Sequence, residues 1–328
     1  METAKAADLA VSEQLPETCA DRLMDSLHAH GVNVIFGLPG VQLDAAFDAL
    51  ARRRDTIDVY ALRNEQATSY MAEGYARVSG AVGCCLVVPG PGLLNASAGL
   101  ASAYACNTPI VCIAGQIDSQ GIERGLGQLH EIPHQLEMLA SVTKWAGRID
   151  APERTESMVA DAFLRLAEGR PRPVALEVPV DVLEAPATHA AADPRRTAAP
   201  PLPDLSGLEA AAALLRKAER PLVVAGGGIL QSGAWAELRL VAERLQAPVL
   251  LTANARGALP SDHPLAFNVV SAKSLVGSAD VILAVGTRFA AVRGERFQLG
   301  PTQHLIRIDA DSEELSRDAS PEVAIAAD

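Results

Sequence analysis

Residues 78–117, VSGAVGCCLVVPGPGLLNASAGLASAYACNTPIVCIAGQI, run for forty positions without a charged side chain. So apolar a block invites a membrane reading. Pro89, Gly90, Pro91, Gly92, Asn95, Asn107 and Pro109 interrupt it, however, and no helix of the ~20 apolar residues a bilayer demands fits between them. The block reads instead as a strand over 82–88, a Pro-Gly-Pro-Gly turn, a helix over 93–104 and a second strand over 110–114. Two apolar strands with a helix between them belong to a parallel sheet covered by helices on both faces.

The alternation extends in both directions. Towards the N-terminus, a helix over 17–30 places Ala20, Leu23, Met24 and Leu27 on one face and stops at Gly31. A strand over 32–36 leads through Gly37-Leu38-Pro39-Gly40 into a helix with Leu43, Ala46, Phe47 and Leu50 on one side. A strand over 57–61 and a helix over 65–78 then reach the central block. On its other side, 117–144 is less regular, and a helix over 155–167 and a strand over 174–178 complete the unit. Residues 185–206 contain Pro186, Pro194, Pro200, Pro201 and Pro203 with many alanines and no apolar periodicity, the mark of an extended linker. Helices over 208–218 and 234–245 and strands over 222–225, 248–251, 281–285, 305–309 and 322–327 follow. The expected class is α/β, with two consecutive parallel-sheet, helix-covered domains at 1–184 and 207–328. The final strand lacks the covering helix that normally comes after it.

Composition narrows the function. At 328 residues with 49% hydrophobic content the chain has material for two cores, and a formal charge of −12 disfavours nucleic acid or an anionic membrane as partner. Aromatics at 4% leave few stacking platforms for single strands. The five cysteines, Cys19, Cys84, Cys85, Cys106 and Cys112, are odd in number and lie in apolar surroundings, so they read as reduced packing residues of a cytoplasmic protein. The first residues carry neither a basic region nor an apolar run of the kind that directs export.

Chemistry gathers where strands end. Asn64 suits a helix N-cap and puts Glu65 in the first turn, just beyond a strand, where open α/β sheets bind ligands. A first-turn glutamate is also an ordinary complement to the helix dipole. Pro89-Gly90 is a strand-to-helix turn whose small residues let backbone approach a ligand, or simply a tight turn. Gly226-Gly227-Gly228 would serve phosphates at a helix start, or merely a strand exit, and lacks the G-x-G-x-x-G spacing. His130-Glu131-Ile132-Pro133-His134 fits H-E-x-x-H in letters, but that zinc site needs a continuous helix and Pro133 breaks one. No metal site is expected in this chain.

Taken in order, Gly37-Leu38-Pro39-Gly40, Arg63-Asn64-Glu65-Gln66 with Met71-Ala72-Glu73-Gly74-Tyr75-Ala76-Arg77, Pro89-Gly90-Pro91-Gly92 with Asn95, and Ala114-Gly115-Gln116 resemble the thiamine-diphosphate enzymes of the acetolactate synthase type. Gly226-Gly227-Gly228, Gly286-Thr287-Arg288-Phe289 and Ile306-Arg307-Ile308-Asp309 resemble that family's Rossmann-like central domain. The resemblance spans residues 17–328 and implies that the first domain binds the pyrimidine end of thiamine diphosphate. Pro39, Gly40, Glu65, Pro89, Gly90, Asn95 and Gln116 would then line the cofactor. Glu65 matches the glutamate that shares a proton with the aminopyrimidine ring and so promotes loss of the thiazolium C2 proton.

Val41, His130 and Lys144 would be substrate residues. His130 stands about where acetolactate synthases carry glutamine, and Lys144 would meet a 2-keto acid carboxylate or remain a solvated lysine. Val41 and Val88 occupy places that are polar in benzoylformate decarboxylase-type relatives, which points to carboligation after decarboxylation rather than decarboxylation alone. FAD is a further cofactor of some members. Mg²⁺ would be held by the family's third domain, whose Gly-Asp-Gly motif is not found here. The implied partners are a 2-keto acid, a second copy of the chain and a diphosphate-binding domain supplied by a separate subunit or by a longer chain. The rival reading is a catalytically silent homologue with a regulatory or assembly role.

Overall fold

The computed structural model describes residues 16–187, 202–289, 298–317 and 319–328. Most of the 185–206 linker and the N-terminal residues 1–15 lie outside the described residues.

The first sheet and its helices run α1 (Cys19–Ala29), β1 (Val34–Gly37), α2 (Asp44–Arg52), β2 (Asp58–Ala61), α3 (Glu65–Ser79) and β3 (Gly83–Val87). They continue as α4 (Pro91–Cys106), β4 (Ile110–Gln116), α5 (Gln135–Val142), β5 (Trp145–Arg148), α6 (Thr155–Ala167), β6 (Val174–Pro179) and α7 (Val180–Glu184). Strand order is β2-β1-β3-β4-β6-β5, all parallel. β3, β4 and β6 are buried along their whole length, which is why the central block bears no charge. One face is covered by α1, α2, α6 and α7 through Leu23, Leu27, Leu50 and Val159, the other by α3, α4 and α5 through Ala72, Leu93, Leu100 and Leu139.

Local chemistry sets the helix ends. Thr18 and Asp21 form a capping box at α1, Pro91 occupies the first turn of α4, and Gly80 ends α3 in the left-handed conformation. α3 and α4 pack almost backbone to backbone: a Cβ on Gly99 would stand 2.3 Å from Ser69 Oγ and 2.8 Å from the Tyr70 nitrogen.

The second sheet is built from α8 (Leu205–Lys217), β7 (Pro221–Ala225), α9 (Gly228–Gln231), α10 (Trp235–Leu245), β8 (Val249–Leu251) and β9 (Ala266–Asn268). It is completed by α11 (Ala272–Ser278), β10 (Val281–Val285), β11 (His304–Asp309), α12 (Ser312–Leu315) and β12 (Val323–Ala326), in the parallel order β12-β11-β10-β7-β8-β9. Leu205 and Ser206, expected in the linker, open α8 instead, because Asp204 caps it by accepting from the Ser206 and Gly207 amides. β12 is not bare either: α8 packs on it, and a Cβ on Gly207 would touch Ile325. The irregular stretch 117–144 contains α5, and β5 follows as a short edge strand; both are too brief to show a period. Among the described residues no helix is long and apolar enough to cross a membrane.

The strand order of the second sheet reverses between β7 and β10; that of the first reverses between β1 and β3, and again at its far edge, where β5 lies outside β6. Loops leaving β1 and β3, and those leaving β7 and β10, turn to opposite faces and open a crevice at the carboxyl edge.

Candidate active site

Pro39-Gly40 leaves β1 and Pro89-Gly90 leaves β3, so the reversal between these strands brings the two Pro-Gly turns side by side. Val88, 6% exposed, is gripped between them: a Cβ on Gly40 or on Gly92 would stand 2.5 Å from one of its methyls. Val88 therefore cements the turns, while Val41, 62% exposed, stands at the rim.

Glu65 begins α3 beyond the end of β2. Asn64 caps the helix by accepting from the Gln66 amide at 2.8 Å, which fixes the backbone that carries Glu65. From the first turns of α4, Asn95 Nδ2 donates to Glu65 Oε2 at 3.0 Å. Glu65 Oε1 lies within 3.3 Å of a Cβ built on Gly92, so glycine there leaves room beside the carboxylate. Asn95 thus holds one of the two carboxylate oxygens in place.

Gly90 adopts φ 57°, ψ −116°, a region only glycine enters readily. Its N–H donates to Gln135 Oε1 at 2.9 Å. His130 packs its peptide against Gly90 and its Nδ1 lies 3.0 Å from Gln42 Oε1, while Gln42 Nε2 donates to Leu129 O. Residues 130–134 are not helical, and His130 and His134 both have positive φ, so the zinc-protease geometry does not form. Glu131 accepts from the Leu126 and Gln128 amides, bonds that hold its carboxyl below the usual range and fold the loop. Glu123, His134 and Glu137 bring ligand atoms within 4.8 Å of one another, all exposed, a grouping common on surfaces without an ion.

Two expected site residues are placed differently. Gln116, 3% exposed, spends its side chain on Glu177 Oε2 (3.2 Å) and on the Ile117 amide (2.8 Å). Lys144 precedes β5 and so lies at the amino edge of the sheet, opposite Glu65. Strands such as the five-residue β3 separate the two edges by about 16 Å. Lys144 Nζ donates to the carbonyls of Glu168 and Arg170, and burial lowers its pKa to about 8. Sequence reasoning overlooked Gln135 and Glu177. The latter had a signal, since it is an acid inside the apolar run Val174-Ala175-Leu176-Glu177-Val178.

A second crevice lies at the reversal in the second sheet. It encloses about 720 Å³ between the carboxyl ends of β7, β8, β10, β11 and β12 and the amino edge of the first sheet. Gly226 and Gly286 meet backbone to backbone, where a Cβ on Gly226 would fall 2.0 Å from Gly286 O. Arg170, Arg288 and Asp309 line the walls, and burial raises the Asp309 pKa. Arg170 binds Asp311 and Glu314 across the two units, and its Nη1 is buried without a partner.

Residues 17–138 match the family described as thiamine pyrophosphate enzyme, N-terminal TPP binding domain, and residues 208–328 match its central domain. The chain belongs to the thiamine pyrophosphate enzymes. It is 36% identical over 309 residues to a Pseudomonas aeruginosa protein described as a 2-ketoarginine decarboxylase, covering 92% of this chain and 54% of that one. It is 34% identical over 328 residues to a Methanocaldococcus jannaschii protein described as an acetolactate synthase large subunit, covering 94% and 54%. A solved structure assigned to a thiamin diphosphate-dependent enzyme of Mycobacterium smegmatis superposes with a TM-score of 0.81 at 26% identity, covering 95% of this chain and 60% of the other. The chain spans about half the length of the curated relatives it matches.

Proposed function

We propose that this chain supplies the pyrimidine-binding domain, 1–184, and the central domain, which begins with α8 at Leu205, of an enzyme that decarboxylates a 2-keto acid and passes the resulting acyl group to an acceptor. The observation that carries the reading is the Asn95–Glu65 pair beside Gly92, which follows the Pro89-Gly90 turn. When bound, thiamine diphosphate supplies an acidic carbon that adds to the keto group and takes up the electrons of decarboxylation. Glu65 would hold a proton at the pyrimidine ring, Asn95 would orient Glu65, and the two Pro-Gly turns would pack against the ring. Val41, which follows the first turn, and His130, whose peptide packs on Gly90, would contribute to a substrate pocket. The Glu65–Asn95 pair favours the catalytic reading over a silent regulatory subunit.

The diphosphate and Mg²⁺ need ligands of the Gly-Asp-Gly type, which this sequence does not contain. A separate subunit or a longer chain would provide them, with a second copy of this chain facing α3 and α4. The buried free cysteines suit a reducing cytoplasm. The crevice of about 720 Å³ is large enough for a dinucleotide such as FAD. Arg170 and Arg288 would take its phosphates and Asp309 a ribose hydroxyl. The four-residue α9 after Gly226-Gly227-Gly228 is too short to act as a phosphate-binding helix.

Calorimetric titration with thiamine diphosphate and Mg²⁺ tests the reading, first on the chain alone and then with a polypeptide bearing Gly-Asp-Gly. Weak binding alone and stoichiometric binding with CO₂ release from a 2-keto acid in the mixture are expected. Tight binding or turnover by the chain alone would overturn the need for a partner. Absence of binding in both would overturn the cofactor assignment.

A further inference from the structure

A carboxylate sits inside the first sheet, on the strand next to its β5 edge, with no place in the chemistry described above. Glu177, fully buried on β6, binds Arg148 through Oε1. Its Oε2 accepts from Gln135 Nε2 at 3.0 Å and from Gln116 Nε2 at 3.2 Å. Buried ion pairs seldom stabilise more than apolar residues of the same volume, so stability gives no reason for an acid inside this strand.

Its effect is on Gln135, 2% exposed. Gln135 Nε2 faces two groups that can only accept, Gly115 O at 3.0 Å and the Glu177 carboxylate. That fixes which way the amide points, and Oε1 is left facing the Gly90 N–H at 2.9 Å. Gly90 is in turn the N-cap of α4, its carbonyl accepting from Leu94 N at 2.9 Å. One residue further along is Asn95, the partner of Glu65.

We propose that Gln135, oriented by the buried Glu177–Arg148 pair, is a positioning residue of the cofactor site: it locks the Gly90 turn and thereby the start of α4 that aims Asn95 at Glu65. The inference rests on the thiamine-diphosphate reading for its consequence, not for its geometry.

The test uses the 328-residue chain labelled with ¹⁵N-glycine and ¹⁵N-asparagine. Gln135→Leu removes the acceptor; Glu177→Gln sets amide against amide and turns the wrong end of Gln135 to Gly90. Both should speed hydrogen exchange at the Gly90 amide by at least ~10-fold and shift the Asn95 side-chain amide resonances, and both should lower the melting temperature, since each leaves buried polar partners unmatched. Gln135→Glu combined with Glu177→Gln restores an acceptor for Gly90 and, with the new buried carboxyl carrying its proton, a donor for Gly115 O. It should return exchange to within about threefold of wild type, which general loosening of the core would not do. If Gln135→Leu does not fold, Glu177→Gln and the double variant carry the comparison.

Unchanged exchange and Asn95 resonances in the folded single variants, or a double variant no better than they are, would overturn the proposal. Thiamine diphosphate affinity, measured with the diphosphate-binding partner, separates the two levels. Wild type that binds alongside a Gln135→Leu variant that binds equally well counts against the positioning role. Wild type that does not bind at all counts against the cofactor reading and leaves the exchange result standing.

Discussion

The carbonyl of His130 dictates that residue 90 be glycine. A Cβ at that position would lie 2.2 Å from His130 O, and the φ of 57° would strain any other residue. Gly90→Ala must therefore push the 128–134 loop away from the Pro89-Gly90 turn. The expected cost is about 1–3 kcal/mol of stability, read as a melting temperature lower by several degrees. Weakened binding of thiamine diphosphate should accompany it. A variant with wild-type melting and binding would show that the loop yields freely.

Glu65→Gln keeps the size of the side chain and an oxygen that can accept from Asn95 but removes the titratable carboxyl. If the proposed assembly with a diphosphate-binding domain is reconstituted, turnover should fall at least ~100-fold while the circular dichroism spectrum stays unchanged. Retention of most of the wild-type rate would remove Glu65 from the chemistry.

Asp21 links acid stability to the first helix. Burial alone would raise its pKa, but the Thr18 amide and the guanidinium groups of Arg53 and Arg52 outweigh burial and hold it at about 2. A folded pKa below the unfolded 3.8 means stability that is present in full above that value and lost as pH falls from about 4 towards 2. Because Arg52 is 37% exposed, screening reduces the contribution to about 1–2 kcal/mol. Urea unfolding of wild type and Asp21→Asn should differ above pH 4 and converge near pH 2. A difference that does not vary with pH would refute the linkage.

Tyr70 and Met71 on α3 and Leu94 on α4 are 40–48% exposed. Apolar side chains beside the candidate site suit a contact with a second copy of the chain. Sedimentation at micromolar concentration should find at least a dimer, and Met71→Glu with Leu94→Glu should weaken association by at least ~10-fold. Monomeric wild type would contradict this.

Sequence alone determined the elements whose burial is uniform or strictly periodic. The uncharged block became β3, α4 and β4, and the expected helix over 155–167 is α6 residue for residue, because apolar runs and helical spacing record burial within one element. Glu65 and the Pro-Gly turns were legible for a related reason: caps and turns are local chemistry, written in adjacent residues. What lay beyond reach was convergence. Lys144 looked as eligible as His130 until the parallel sheet put them at opposite edges. Gln135 and Glu177, forty-two positions apart, meet only because β4 and β6 are neighbours. A strand's pattern says which face is buried but not which strand lies beside it. Strand order, and with it the crevice where the site residues meet, is decided by packing over the whole chain.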